Sequence, residues 1–556
     1  MQQPEVNTLT LDLGKETKSK VKPSGNESPY IGKDILELLT TGMYVNPLVI
    51  YREYVQNSVD AIDEALKNGL IDSVDDAEIQ ILINHAERNI LITDNGHGMS
   101  NEDFIKTMLS VGDSKKRTTD ARGMRGVGRL SGLAYAQKII FRSCTKNDKD
   151  IMEAEWDCKM MRKLLKEDNE LDLSMLLDEV VSFHKKKKTL EQPHFFEVEI
   201  QKPIRMKWDL LMNEKKIQDY LGQVAPVPFS PDFSFKKEIE EQFSTQINDE
   251  FNYNIFIKLP NLSGNEDTSD EYISKQIFKP YADHFTLRQD VQDSVHSVEF
   301  IKLNSNDGGI AAIGWILHSS YMGAIPKNQH INGIRARSGN IMIGEPSIFL
   351  ENFTEARFSN WCIGEIHIID ERVKPNARRD NFEESVHTEN INSQISLIAN
   401  DIASRCRANS SFRNSLKNIA SRINKATELT EIIKQNFLSK QTNKDYLIQA
   451  KTLIKESHKY TESLSNQLEN PLLTSNLENE FNKIQKKLKD TEKEISIVIS
   501  ELDEESFEIK GVISKVKLNA YREIFDLIID THGDKRNASL LIEKIIKKIE
   551  SKNQLH

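Results

Sequence analysis

The chain has 556 residues, of which 38% are hydrophobic and 29% charged, with 74 Lys+Arg against 85 Asp+Glu and a formal net charge of −11. That length suits about three or four domains. The acidic balance argues against coating nucleic acid by bulk charge while leaving room for a local basic groove, and no apolar run approaches the roughly 18 residues of a membrane span.

The first 29 residues are polar and punctuated by Pro23, Gly25 and Pro29, and are expected as a flexible segment. They lack the basic and apolar regions of a secretory leader, so a soluble cytoplasmic protein is expected. Leu48, Tyr51, Val55, Val59, Ile62 and Leu66 then recur at helical spacing and predict a buried stripe. Glu53, Asn57 and Asp60, at i, i+4 and i+7, share another face of that helix. By themselves they would be the solvated side of an ordinary amphipathic helix. Residues 79–83 and 89–93 read as the two strands of a hairpin.

The second strand runs into Asp94-Asn95-Gly96-His97-Gly98-Met99. A carboxylate followed by two glycines suits a pocket that accepts a hydrogen bond from an exocyclic amine, because missing Cβ atoms let a flat base approach the backbone. Alone, Asp-Asn-Gly suits a type I′ hairpin turn equally well. Gly123-Met124-Arg125-Gly126-Val127-Gly128 opens an expected helix through Leu133, Ala134 and Ala136. Backbone amides of a glycine-rich turn at a helix start make an anion cradle suited to phosphates. The turn does not sit in a short βαβ unit with an acid about twenty residues on, which argues against a dinucleotide fold.

The run His184-Lys185-Lys186-Lys187-Lys188 is expected as an exposed loop, and Phe195–Ile200 as a strand. Pro226, Pro228 and Pro231 mark the exit from residues 30–215 into a second mixed region, 216–390. There Tyr253–Ile257 and Ile363–Ile369 are strand-like, and Gly333–Gly344 reads as strand, turn, strand. Arg335 and Arg337 share one face of that strand, which they are expected to decorate, lining a channel being the alternative. Residues 391–556 are helical in pattern. Leu477, Phe481, Ile484, Leu488, Thr491, Ile495, Val498 and Leu502 follow a 4-3 spacing, the seam of a coiled coil or of a helix packed inside a monomeric bundle. The four cysteines are far apart and fit neither a disulfide framework nor a zinc site.

In this order and spacing the motifs resemble the GHKL ATPase superfamily of gyrase, the ninety-kilodalton heat-shock chaperones, histidine kinases and MutL. The resemblance covers about residues 30–205. Glu53…Asn57…Asp60-Ala61 looks like its N-box, Asp94-x-Gly96-x-Gly98-Met99 its adenine motif and Gly123-x-x-Gly126-x-Gly128 its lid motif, with residues 100–122 as the ATP lid. The resemblance implies an α+β protein: a Bergerat-type α/β sandwich ATPase domain (30–215), an α/β transducer-like middle domain (216–390) and an all-helical C-terminal region with a coiled coil that dimerises (391–556). It implies ATP and Mg2+ as cofactors, Glu53 as the carboxylate that activates water, and Asn57 as the metal ligand. Asp60, Asp94, Gly96, Gly98, Met99, Lys115, Gly123, Gly126, Val127 and Gly128 would contact the nucleotide. One departure stands out. The family's Gly-Thr beside the adenine carboxylate is replaced by Pro193-His194-Phe195-Phe196-Glu197-Val198, so that Thr189, or a water and a backbone group, would have to stand in for the hydroxyl.

A second segment, Trp361–Asp370 followed by Pro375-Asn376-Ala377-Arg378-Arg379-Asp380, resembles the middle-domain turn of the heat-shock chaperones that carries an arginine to the γ-phosphate. Arg379 is the catalytic candidate and Arg378 the fallback, because charge building on a phosphoryl group needs a fixed donor fork that cannot deprotonate. A surface arginine pair bound to nearby acids is the plainer alternative. No histidine precedes His85, which removes the histidine-kinase branch. Two readings remain. One is a chaperone-like clamp, homodimeric through its C-terminal helices, closing on a protein client or partner. The other is a MORC- or MutL-like clamp on nucleic acid, with bacterial defence as one setting. The acidic charge favours the first.

Overall fold

The computed structural model describes residues 32–40, 46–111, 128–167, 171–188, 194–246, 252–261, 272–502, 509–510 and 514–553. Lys115, Gly123, Gly126, Val127 and Thr189 lie outside these residues, as do positions 1–29.

Alternating isoleucines build the first sheet. Ile79, Ile81 and Ile83 of β1 (Glu78–Asn84) and Ile90 and Ile92 of β2 (Asn89–Asp94) all point to one buried face, as the two-residue period of a strand requires. The sheet continues through β3 (Lys138–Cys144), β4 (Asp150–Trp156), β5 (Val181–Lys187), β6 (Phe195–Gln201), β7 (Asn254–Pro260) and β8 (Tyr272–Gln276). Its strand order is β5-β4-β3-β6-β2-β1-β7-β8. Helices close over the isoleucine face: α1 (Asp34–Thr40), α2 (Val49–Lys67), α3 (Asn101–Leu109), α4 (Cys158–Lys166), α5 (Leu173–Val180) and α6 (Glu214–Val224) all contribute to one core. This is a helix layer on a sheet layer, the α/β sandwich expected.

Three local expectations change. The lysine run is strand β5, paired antiparallel with β4, not a loop. Residues 128–134 form a short 3-10 turn that leads into β3, not an α-helix through Ala136; Gly132 lies directly against the Tyr54 ring and its hydroxyl. Strand β7, expected in the second region, pairs in parallel with β1 of the first sheet, and Tyr253 at its start donates a hydrogen bond to the Asp63 carboxylate of α2.

After α7 (Lys236–Ser244), a second sheet combines β9 (His284–Arg288), β10 (Val291–Asn304), β11 (Ile310–Ser319), β12 (Gly333–Ser338), β13 (Ile341–Ile343) and β14 (Ile363–Ile368). The order is β13-β12-β14-β11-β10-β9. The β12–β13 turn is Gly339-Asn340 with φ of 55° and 57°, the left-handed pair that a tight hairpin demands.

Arg335 and Arg337 on β12 do not decorate a surface: both are 0% exposed. Every residue of β14 is buried, so the neighbouring strand has no solvent face to offer. Arg337 pairs with Glu365 at 2.6 Å, Lys279 pairs with the same carboxylate at 2.9 Å, and Tyr281 donates to it at 2.8 Å. Arg335 donates to the carbonyls of Ile331 and His330. Glu365 is held well below the carboxylate range by Arg337 and Lys279 against its burial, while burial pushes Lys279 down to about 8 and His367 down to about 4. Glu365→Ala would leave two buried cations without their counter-charge and should cost about 3–5 kcal/mol in denaturant unfolding. Below its ordinary range near 6.5 His367 must take up a proton on unfolding, and Glu365 does so below about 4.5. Stability contributed by both groups is therefore present at neutral pH and lost as pH falls from about 6.5 towards 4 and below.

The helix α8 (Val386–Lys434) begins in the core of the second sheet through Ile391, Ile395 and Ile402. It then enters a separate helical core through Phe412, Leu416 and Ile423, shared with α9 (Lys440–Ser465), α10 (Asn476–Leu502), α11 (Lys515–Thr531) and α12 (Lys535–Asn553). The 4-3 seam lies on α10. Leu477, Phe481, Leu488, Thr491, Ile495 and Val498 are buried. Phe481 meets Phe412 at 6.4 Å and Thr491 lies 3.3 Å from Thr427, so the seam is filled by helices of the same chain. A heptad stripe expected to pair two copies here closes an intramolecular bundle. Among the described residues no helix is long and apolar enough to cross a membrane.

Candidate functional site

The site grows from α2. Of its expected apolar stripe, Leu48, Tyr51, Val55, Val59 and Ile62 are buried and Leu66 is partly buried. Its polar side is buried too: Arg52 is 7% exposed, Glu53 6%, Gln56 1% and Asp60 7%. Charged side chains are almost never buried without a partner or a purpose, so this side is not the solvated face of an ordinary helix. Arg52 donates to Glu53 Oε1 through Nε (3.3 Å) and Nη2 (3.0 Å). Asn57, one turn after Glu53, is partly exposed.

The turn after β2 docks on the same helix. His97 N donates to the Ala61 carbonyl at 2.9 Å, which seats residues 94–98 beneath Ser58 and Asp60-Ala61. Gly98, with φ of 74°, adopts a left-handed conformation where a Cβ would also overlap the Cys144 carbonyl. Asp94 is 2% exposed; its Oδ1 accepts from Gly96 N at 3.0 Å, the Ser58 hydroxyl donates to the same carboxylate, and Oδ2 is buried with no partner. Burial pushes this carboxyl up to about 7, against the hydrogen bonds from Ser58 and the Gly96 and Phe196 backbone that favour the ionised form. A buried, unpartnered acceptor is costly to keep. It suits a ligand donor such as an exocyclic amine. Met99 N donates to Ser143 Oγ at 2.9 Å.

Gly128 brings the end of the glycine-rich segment to Glu53: a Cβ there would stand 2.5 Å from Glu53 Oε2. Three motifs separated in sequence, at Glu53–Asp60, at Asp94–Met99 and at Gly128, thus meet around one helix.

With the geometry in place, comparison with known proteins is decisive for the first unit. Residues 47–186 match the family model described as Histidine kinase-, DNA gyrase B-, and HSP90-like ATPase. The chain carries a GHKL ATPase domain. "Chaperone protein HtpG" of Buchnera aphidicola (subsp. Acyrthosiphon pisum, strain APS) is similar to it, 31% identical over 128 residues, 20% of each chain. The protein of the same name from Polaromonas naphthalenivorans (strain CJ2) is 32% identical over 126 residues, again 20% of each chain, and that of Coxiella burnetii (strain RSA 493) 30% over 142 residues, 22% of each. The match therefore spans about a fifth of the length of these relatives.

A second unit reaches the GHKL domain at α2. The turn at 376–381 is braced by Asn376 Nδ2 to Asp380 Oδ1 (2.6 Å), Arg379 N to Asn376 O (3.1 Å) and Gly344 N to Arg379 O (2.8 Å). Arg379 sits at a positive φ of 57° and its Nη1 donates to Gln56 Oε1 of α2. Arg378 is exposed, and its carbonyl accepts from Arg52 Nη2 at 3.4 Å. Of the two arginines, Arg379 is the one whose side chain is aimed at α2. Tyr220 of α6 lies close enough to Arg52, Glu53 and Glu345 to feel their charges, and burial pushes its hydroxyl up to about 12. Arg52, Gln56, Ser58, Ser143 and Tyr220 carried no sequence signal of their own: the first three lie on α2 between or beside the motif residues without being motif positions, and the others come from distant elements.

Proposed function

We propose that the chain is a Mg2+-dependent ATPase with chaperone-like clamp action, in which ATP drives closure of the N-terminal domains of a homodimer on a protein client or partner. The observation that carries this is the buried polar side of α2, which faces an unpartnered Asp94 oxygen on one side and the Arg379 turn on the other. Asp94 with Gly96–Met99 would hold the base, and Asn57 with retained waters would hold the magnesium, which neutralises phosphate charge when bound. Glu53 orients the attacking water and takes its proton. Arg379 supplies a fixed guanidinium to the transferred phosphoryl group from the second unit. The chaperone named in the relatives and the acidic net charge support a protein client. Val516, Ile524 and Leu527 of α11 and Leu540 and Leu541 of α12 are exposed, an apolar face that supports pairing of two copies at the C-terminal end, given that the α10 seam is already filled.

Arg379→Ala should lower kcat by roughly 10- to 1000-fold with little change in ATP affinity, because its contact matters only as charge develops and the two units close. Equal losses in kcat and in affinity would remove it from that role. The clamp reading is tested by phosphate release with and without unfolded protein, DNA and RNA: stimulation by unfolded protein is expected, and stimulation by nucleic acid alone would overturn the client assignment.

A further inference from the structure

Two contacts cross between α2 and the 376–381 turn, and they run in opposite directions. Arg52 Nη2 donates to the Arg378 carbonyl at 3.4 Å, and Arg379 Nη1 donates to Gln56 Oε1. Arg52 and Gln56 are four residues apart and share one face of α2. Neighbouring residues of the turn thus meet successive turns of the helix. The turn holds its own shape. Asn376 N donates to the Asn381 carbonyl at 2.9 Å, and Pro375 forms a bridge with Phe382. Gly344, at a φ of 68°, lies so close that a Cβ would stand 2.7 Å from the Asp380 carbonyl. Arg379 is itself left-handed, a conformation that a residue with a Cβ keeps only where its surroundings impose it.

Gln56 is 1% exposed. A guanidinium only donates, so the amide must meet Arg379 with its oxygen and turn its NH2 away. There Nε2 is buried with no partner among the described residues. An unpaired buried donor is costly, so the orientation of this side chain answers to Arg379. The acceptor is also neutral. A carboxylate here would hold the arginine in a charge-assisted pair roughly twice as strong and compete with a phosphate for it, whereas an apolar side chain would not hold it. A carboxamide keeps the guanidinium in place with a bond that an anionic phosphate outcompetes.

Resting on the ATP site and the Arg379 role proposed above, we propose that Gln56 is a positioning residue for Arg379, its side-chain carbonyl holding the guanidinium at α2 until the terminal phosphate takes it over. Gln56 needs no contact with the reacting atoms in this scheme. It acts through Arg379, so its removal costs nothing further once Arg379 is gone.

The test is a double-mutant cycle in the full chain, read by single-turnover phosphate release and calorimetric ATP affinity with Mg2+. Gln56→Met, close in size and lacking the carbonyl, should slow hydrolysis roughly 5- to 50-fold and leave affinity within about threefold. In the Arg379→Ala background the same substitution should change the rate by less than about twofold. Thermal unfolding without nucleotide should show the same coupling, the two substitutions together lowering the midpoint by less than the sum of their separate effects. Gln56→Glu keeps the size and an acceptor, and decides the matter if Gln56→Met does not fold. Arg379→Ala should then lower the nucleotide-free midpoint more in the Gln56→Glu chain than in the native one, and equal lowering would overturn the contact. An unchanged rate in Gln56→Met, or losses that multiply across the cycle, would overturn the role of Gln56 while leaving that of Arg379 standing. Native turnover in Arg379→Ala would refute the arginine reading and this one with it, and a chain that binds no ATP would refute the site itself.

Discussion

Glu53→Ala should leave Mg-ATP bound and slow its hydrolysis by roughly 10²–10⁴-fold, the usual contribution of a positioned general base. The carboxylate is buried, anchored by Arg52 on Oε1, and has Gly128 against Oε2. It is therefore tethered by its neighbour on α2 and closely approached by Gly128. Binding should survive because the groups proposed to hold the base and the magnesium, Asp94 and Asn57, are left in place. Single-turnover phosphate release, alongside calorimetric affinity, separates the two effects. An unchanged hydrolysis rate would assign the base elsewhere.

Asp94→Asn should have opposite consequences for binding and for stability. Gly96 N requires an oxygen acceptor at the Oδ1 position, so the amide of asparagine would turn its NH2 towards the ligand and oppose a donor amine. ATP affinity should fall roughly 10- to 100-fold. The empty protein should become more stable at alkaline pH. Asp94 titrates near 7 in the folded chain against 3.8 for an unperturbed carboxyl, so the native state holds a proton that the unfolded chain has released. Stability from this group is full below about 4 and is lost as pH rises through 7, by about 4 kcal/mol in all. Asparagine has no charge to desolvate, although its NH2 is left without a partner at a cost of about 1–3 kcal/mol. Without nucleotide, the variant should be about 2 kcal/mol more stable than the native chain at pH 8, with that gain absent at pH 4. Thermal unfolding at the two pH values checks it. A lower midpoint at pH 8 would count against a strained, ligand-awaiting carboxylate.

Much of the first unit was legible from sequence because its signals are periodic. The helical stripe of α2 and the alternating isoleucines of β1 and β2 each fix a buried face without knowledge of a partner. The order of the three motifs carried the site. What was missed depends on distant partners. Arginines at i and i+2 read as a surface strand unless one knows that β14, thirty residues on, brings Glu365 beside them. Strand β7 has the pattern of any buried strand, and nothing local says that it crosses back to lie parallel to β1. The 4-3 seam of α10 is the same stripe whether a second copy or α8 and α9 cover it. Ser58 and Ser143 gained their meaning only when the sheet set them beside Asp94 and Met99.

The most direct measurement is a structure of the full chain with Mg2+ and a non-hydrolysable ATP analogue. The base should lie against Asp94 and Gly96–Met99, the metal on Asn57, and the terminal phosphate between Glu53 and Arg379. A nucleotide bound away from α2, or bound there in a closed state with Arg379 turned from the phosphates, would contradict the proposed ATPase site.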